Sequence, residues 1–244
     1  MNLAIDIGNT RTKIGVFDQA NLIHKEVWEA TDLAKLTALA TNHCVEKCIF
    51  SSTAHLQATF LDWTKQFSTA IELDSLTPIP IVNQYSTPHT LGKDRLAAVV
   101  GAYAFYPQQN CLIIDAGTCI TYEFLTAEGI YLGGNIAPGL RMRARAMHEF
   151  TAKLPLIDIE NNIINPIGNT TVSAMQNGTT WGAILESVGT IDYCKQHFGT
   201  TKVILTGGDA AIFYQNLTQA TTVHANLVLH GLNKILNYNV ETVQ

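Results

Sequence analysis

Charge is scarce in this chain. Only 14% of its residues are Asp, Glu, Lys or Arg, and the basic ones are the minority, 15 against 20, for a formal net charge of −5. That balance supplies no basic face for a nucleic-acid backbone or an anionic membrane, and no helix-turn-helix pattern is present to read DNA. Also missing are an apolar run of membrane-spanning length and a basic-then-apolar leader with a small-residue cleavage site. The expected location is therefore the cytoplasm, with no membrane and no nucleic acid as partner. Cysteines are few and odd in number: Cys44, Cys48, Cys111, Cys119 and Cys194. They lie mostly in apolar runs, which fits reduced core thiols and not a disulfide framework. Cys44 and Cys48 share a helical spacing, but no second ligand pair follows, and the histidines show no metal-ligand pairing. Neither Gly-x-x-x-x-Gly-Lys-Ser/Thr nor Gly-x-Gly-x-x-Gly occurs, which disfavours a P-loop or a dinucleotide fold.

What is present is a compact apolar chain, 47% hydrophobic over 244 residues, long enough for one large domain or two lobes of about 100–150 residues each. It opens on Leu3-Ala4-Ile5, the stretch Asp6-Ile7-Gly8-Asn9-Thr10-Arg11-Thr12-Lys13, and then Ile14-Gly15-Val16-Phe17. Two strand-like runs around Gly-Asn predict a tight hairpin. Its tip carries unusual chemistry for a turn. Gly8 lets backbone N–H groups approach a ligand, and Asn9 tolerates positive φ. Thr10, Thr12 and Lys13 are donors suited to phosphate oxygens, while Asp6 suits a metal ion or its water. A single Asp-x-Gly turn would be an ordinary polar-tipped hairpin. A second copy changes the reading.

That copy is Cys111-Leu112-Ile113-Ile114-Asp115-Ala116-Gly117-Thr118, followed by the strand-like Ile120 to Phe124 and a third strand at Gly129 to Gly134. The same succession near the N-terminus ends in Leu22 to Trp28. Between the copies the pattern predicts a helix capped by Thr31 or Asp32 through Leu39-Ala40. A strand at Cys48 to Ser52, a helix around Leu56 to Phe67 and another from Leu91 through Ala104 follow. Pro107-Gln108-Gln109-Asn110 marks the expected boundary between lobes 1–109 and 110–244. After it come helices at about 139–150 and 173–197, a strand at 202–206 running into Gly207-Gly208 and another helix, and a last helix near Leu236. Strand triplets followed by alternating helix and strand predict an α/β fold, and the duplication predicts two similar lobes facing a nucleotide cleft. Gly207-Gly208, where a strand turns into a helix, would let a base or ribose lie against backbone.

The paired hairpins and the late double glycine resemble the ATP-binding folds of the sugar kinase, actin and heat-shock chaperone superfamily, with ribonuclease-H-like lobes. Within it the chain resembles the type III pantothenate kinases, the first enzymes of coenzyme A synthesis. The likeness runs through Asp6 to Lys13, Gly92-Lys93-Asp94-Arg95, Asp115-Ala116-Gly117-Thr118, Gly134-Asn135-Ile136-Ala137-Pro138-Gly139 and Thr170-Thr171-Val172-Ser173-Ala174-Met175. It implies ATP bound by Asp6, Ile7, Gly8, Asn9, Thr10, Arg11, Thr12, Lys13 and Thr118, with Mg2+ bridging the phosphates and Asp6 nearest to it. It implies Asp94 as general base and Tyr85, Gly92, Lys93, Asp94, Arg95 and Thr171 as the pantothenate site. Thr170 stands where Asn or Ser is common, so either threonine hydroxyl would make that contact. Asp115 would hold a monovalent cation, potassium or ammonium, and the enzyme would be a homodimer. Asn135 and Leu96 depart from the common pattern and are expected to change packing only. Arg141, Arg143 and Arg145 lie at alternate positions; on a helix Arg141 and Arg145 share a face with Arg143 turned away, and this reads as a solvated or dimer-contacting face in preference to a phosphate clamp. Two alternatives share the fold: a kinase for a sugar or acetate, and a nucleotide-binding regulator.

Overall fold

The computed structural model describes residues 1–53, 57–159, 167–219 and 221–242. The chain divides into two compact units, 1–108 with 128–132 and 226–244, and 109–127 with 133–225.

In the first unit β1 (Asn2–Ile7), β2 (Thr12–Asp18) and β3 (Asn21–Trp28) form a meander. Helix α1 (Leu33–Asn42) leads to β4 (Lys47–Ser52), and α2 (Ala58–Thr64) to β5 (Thr69–Glu72). The sheet order is β3-β2-β1-β4-β5, with β1 antiparallel to β2 and parallel to β4. Central β1 is buried along its length, as an unbroken apolar run requires, whereas β3 alternates exposed and half-buried positions. Asp32, one of the two candidate caps, starts α1 by accepting from the Lys35 N–H at 3.1 Å. Leu3, Ile5, Ile14, Leu36, Phe50 and Phe60 form the core, with Phe50 edge-on to Phe60. The expected helix from Leu56 to Phe67 is shorter at both ends, and Leu56 itself lies outside the described residues.

A two-residue strand β6 (Val82–Asn83) and helix α3 (Lys93–Phe105) follow. In the second unit β7 (Asn110–Ala116), β8 (Cys119–Leu125) and β9 (Ile130–Pro138) repeat the meander, β9 beginning among the first unit's residues 128–132. Then come α4 (Leu140–Glu149), α5 (Thr171–Phe198), β10 (Thr201–Thr206), α6 (Ala210–Asn216), β11 (Thr221–Val223) and α7 (Leu227–Thr242). The second sheet runs β9-β8-β7-β10-β11, so each unit has the same order: meander on one side of the central strand, two parallel strands on the other. Strand β6 is an addition, pairing Val82 with Ile130 and Asn83 with Tyr131. Ile114, Ile120, Tyr122, Ala183, Ile184, Ile191 and Phe213 pack the second core under α5.

The sequence partition placed the last helix in the second lobe. Its packing places α7 in the first unit, along α3 and β1. The reason is close backbone approach. A Cβ on Gly231 would stand 1.7 Å from the Ala97 carbonyl oxygen, and one on Gly101 2.4 Å from that of Leu227. Asn2 adds two amide bonds, to Asn233 at 2.9 Å and Asn237 at 2.8 Å.

Candidate functional site

Asp6 sits one residue from the end of β1, and strand register decides its neighbours. Across the hairpin it faces Lys13, and across the parallel pair it faces Ser51. The Ser51 hydroxyl donates to Asp6 Oδ1 at 3.0 Å. The carboxylate is only 7% exposed. Burial pushes its pKa above the usual carboxylate value, Lys13 and the Ser51 bond oppose that, and the charge of Asp94 adds to it. Asp6 and Asp94 therefore share one electrostatic environment within the first unit.

The hairpin tip closes through a Gly8 N–H bond to the Arg11 carbonyl at 3.1 Å. Neither Gly8 nor Asn9 uses positive φ, so the tolerance expected of Asn9 is not called on. Asn9 Oδ1 instead accepts from the Thr53 hydroxyl at 3.1 Å, and the Ile7 carbonyl accepts the Thr53 N–H. Asn9, Thr10 and Arg11 are exposed, Ile7, Gly8 and Lys13 half-buried. Thr12 differs from the expected phosphate donor: it is buried at 2% exposure, its hydroxyl 3.0 Å from that of Thr31.

Asp94 stands at the second position of α3, whose N-cap is Gly92. The carboxylate folds back to accept the Arg95 N–H at 2.8 Å, and a Cβ on Gly92 would meet it at 2.6 Å. Glycine is needed there because the aspartate occupies the space. Lys93 ion-pairs with Glu72 on β5 at 3.1 Å. Arg95 is buried, its guanidinium 5.5 Å from the centre of the half-buried Tyr85 ring and its Nη2 3.5 Å from the Tyr131 hydroxyl. Tyr131 is fully buried and lies parallel to Tyr85, ring centres 6.3 Å apart. The substrate residues expected at 85 and 92–95 are thus brought together, on a base that includes Tyr131 and Glu72.

In the second unit Asp115 holds the position on β7 that Asp6 holds on β1, with Thr121 and Thr206 as its register neighbours. Gly207, at φ +94°, comes so close that a Cβ would lie 2.4 Å from Asp115 Oδ1 and 2.3 Å from the Ala116 carbonyl oxygen. Thr118 is exposed at the hairpin tip, and its carbonyl accepts the Gly139 N–H at 3.1 Å. Thr170 is the N-cap of α5 and exchanges bonds with Ser173, so its hydroxyl is engaged. Thr171, exposed at the first helical position, makes no side-chain bond among the described residues. Arg141 and Arg145 are solvated as expected, each side chain 73% exposed, while Arg143 is turned away and 21% exposed; each also pairs with a carboxylate, Arg141 with Asp209, Arg143 with Glu186 and Arg145 with Glu149.

Sequence reasoning missed Ser51, Glu72, Tyr131 and Asp209. Ser51 had a signal, the hydroxyl-terminated strand Cys48 to Ser52. Tyr131 had none, because its role depends on the two-residue pairing with β6.

Among the described residues no group of three or more His, Cys, Asp or Glu side chains could hold a metal ion. The chemistry present suits a cation that keeps water and phosphate ligands, as Mg2+ does. Asp6 offers a buried carboxylate that a positive charge would stabilise, inside the field of a second carboxylate. At Gly207, Asp115 Oδ1 and the Ala116 carbonyl crowd a bare Cα, which leaves room there for glycine only.

Residues 2–192 match the family model described as type III pantothenate kinase. A type III pantothenate kinase of Bacteroides fragilis is 42% identical over 240 residues, 98% of each chain. One from Christiangramia forsetii is 40% identical over 241 residues, 98% of this chain and 99% of that one. Among solved structures, a Campylobacter jejuni protein assigned to a Baf family of transcriptional activators superposes with TM-score 0.64 at 20% identity, covering 98% and 99% of the two chains. The ROK hexokinase of Thermus thermophilus gives 0.53 at 13% identity, with the same coverage. These structural likenesses show the fold alone, an α/β fold of two lobes. From the match along most of its length and from its curated relatives, the chain belongs to the type III pantothenate kinase family.

Proposed function

We infer that this protein phosphorylates pantothenate with ATP, giving 4′-phosphopantothenate and ADP, the first step of coenzyme A biosynthesis. Beyond the family match, the observation that carries the reading is Asp94, its carboxylate at the start of α3 and within the field of buried Asp6. The pantothenate hydroxyl oxygen attacks the γ-phosphorus and the bond to the β–γ bridging oxygen breaks. ADP leaves with that electron pair, and the hydroxyl proton passes to Asp94. Arg95 and Lys93 neutralise the anionic acceptor, Tyr85 forms a wall of its site, and Thr171, whose neighbour Thr170 is occupied in capping, donates to it. In the first unit Lys13 and the backbone of the Gly8 turn suit nucleotide phosphates, and in the second unit Thr118 does. Mg2+ near Asp6 would neutralise charge on the phosphates, and potassium or ammonium at Asp115 would do so for the second hairpin.

By family likeness the protein is a cytoplasmic homodimer. The face of α5 formed by exposed Gly178, Leu185 and Gly189 and half-buried Gly182, spaced for one side of a helix, is where we assign the contact.

The test is the purified protein with ATP, Mg2+ and K+, offered pantothenate or a panel of sugars. Transfer to pantothenate that falls at least about a thousandfold in Asp94→Asn is the expected result. Transfer to a hexose instead, or an Asp94→Asn protein as fast as the parent, overturns the assignment.

A further inference from the structure

Asp209 begins α6 but caps nothing: no backbone N–H of that helix bonds its side chain. It is 5% exposed, and such a carboxylate needs a cation. Arg141 of α4 supplies it in an unusual way. One nitrogen, Nη1, reaches both carboxylate oxygens, at 2.8 and 3.0 Å. The Arg141 side chain is otherwise 73% exposed, and its Nε–H and Nη2–H donors bond no described residue. An arginine that served only to neutralise Asp209 would present both arms of its fork to the carboxylate. This one keeps the second arm idle.

Its surroundings say what that arm is for. The Asp209 N–H bonds the Ala116 carbonyl at 2.9 Å, tying the loop 207–209 to the β7–β8 hairpin. The start of α4 abuts the same hairpin, since a Cβ on Gly139 would lie 2.3 Å from the Thr118 carbonyl oxygen and 2.4 Å from that of Gly117. Arg141 thus stands beside Thr118 and the Gly207-Gly208 loop, held still by a buried anion. Gly208 is exposed, and nothing lies within 4 Å of where its Cβ would be.

We propose that Arg141, anchored through Nη1 on Asp209, contacts a phosphate of the donor nucleotide with its remaining fork and so sets nucleotide affinity in this chain. This rests on the assignment of Thr118 to ATP made above. The geometry provides a discriminating substitution. Arg141→Lys retains one nitrogen for both Asp209 oxygens but removes the idle donors. Titration calorimetry with Mg·ADP and steady-state kinetics, on the full chain, should show ADP affinity about tenfold weaker and the KM for ATP raised to match. The KM for pantothenate and the melting temperature should hold. Arg141→Ala should lose the same affinity and also melt lower, because it strands Asp209. An Arg141→Lys protein that binds Mg·ADP like the parent overturns the proposal and leaves Arg141 as a tie for Asp209 alone. Parent protein that binds Mg·ADP yet transfers nothing to pantothenate defeats the kinase assignment, while the calorimetric comparison still decides the role of Arg141.

Discussion

Asp6 is a carboxylate kept where a carboxylate is costly. Its pKa is raised mainly by burial, so the folded chain binds this proton more tightly than the unfolded chain does. The penalty for ionising it is absent well below the ordinary value of 3.8, grows as pH rises through that value, and is complete above the folded pKa. Asp6→Asn removes the charge while Ser51 can still donate to the amide oxygen. The expected outcome is a higher melting temperature at about pH 7, shrinking towards no gain in acid, together with loss of phosphate transfer. Thermal melts across pH and the kinase assay read both; a protein destabilised at neutral pH would contradict the assignment of burial as the dominant cause. At this scale the sequence was legible wherever a residue type had one use. Asp-x-Gly twice over pointed to both carboxylates. It was not legible for Thr12, because a hydroxyl two residues beyond a turn serves a phosphate or a neighbouring Thr31 equally well, and only the fold decides.

Among the elements, α3 carries Asp94, the proposed base, and α7 packs along it. Eight consecutive residues of α3, Arg95 to Ala102, are buried, which periodicity in one sequence cannot reveal as a helix enclosed from several sides. The existence of α7 could be read from its apolar spacing, but its partner could not. The contact depends on Gly231 and Gly101, two glycines with no turn to make. Gly231→Ala would push a methyl into the Ala97 carbonyl, and we expect a loss of about 3 kcal/mol or more in urea unfolding. Because Ala97 lies three residues beyond Asp94, kcat for pantothenate should fall with it, more than at a helix glycine facing open space. Short strands were the other blind spot. Two-residue β6 and three-residue β11 exist through pairing with Ile130–Tyr131 and Val203–Leu205, not through any pattern of their own.

For the whole molecule, duplication was the most legible property. Two copies of one strand order follow from two copies of one local pattern, and each unit repeats Asp next to a hydroxyl-bearing parallel neighbour, Ser51 or Thr206. Assembly is the property that one chain displays least, since an interface between copies leaves only an exposed face behind. In the proposed homodimer that face includes Leu185, 61% exposed between Gly182 and Gly189 on α5. Sedimentation should give twice the 26.7 kDa chain mass for the parent protein, and Leu185→Glu should return single chains. A parent protein that sediments as single chains at micromolar concentration would remove the homodimer.

The first unit is not continuous in sequence: its final helix arrives after the entire second unit has been made. Synthesis runs from the N-terminus, so the backing of Asp94 emerges from the ribosome after the second unit, and the long-range seam between residues 97–101 and 227–231 closes only once α7 is made. A chain cut short before α7 would keep both Asp-x-Gly turns and still lack the helix that backs Asp94, the proposed base.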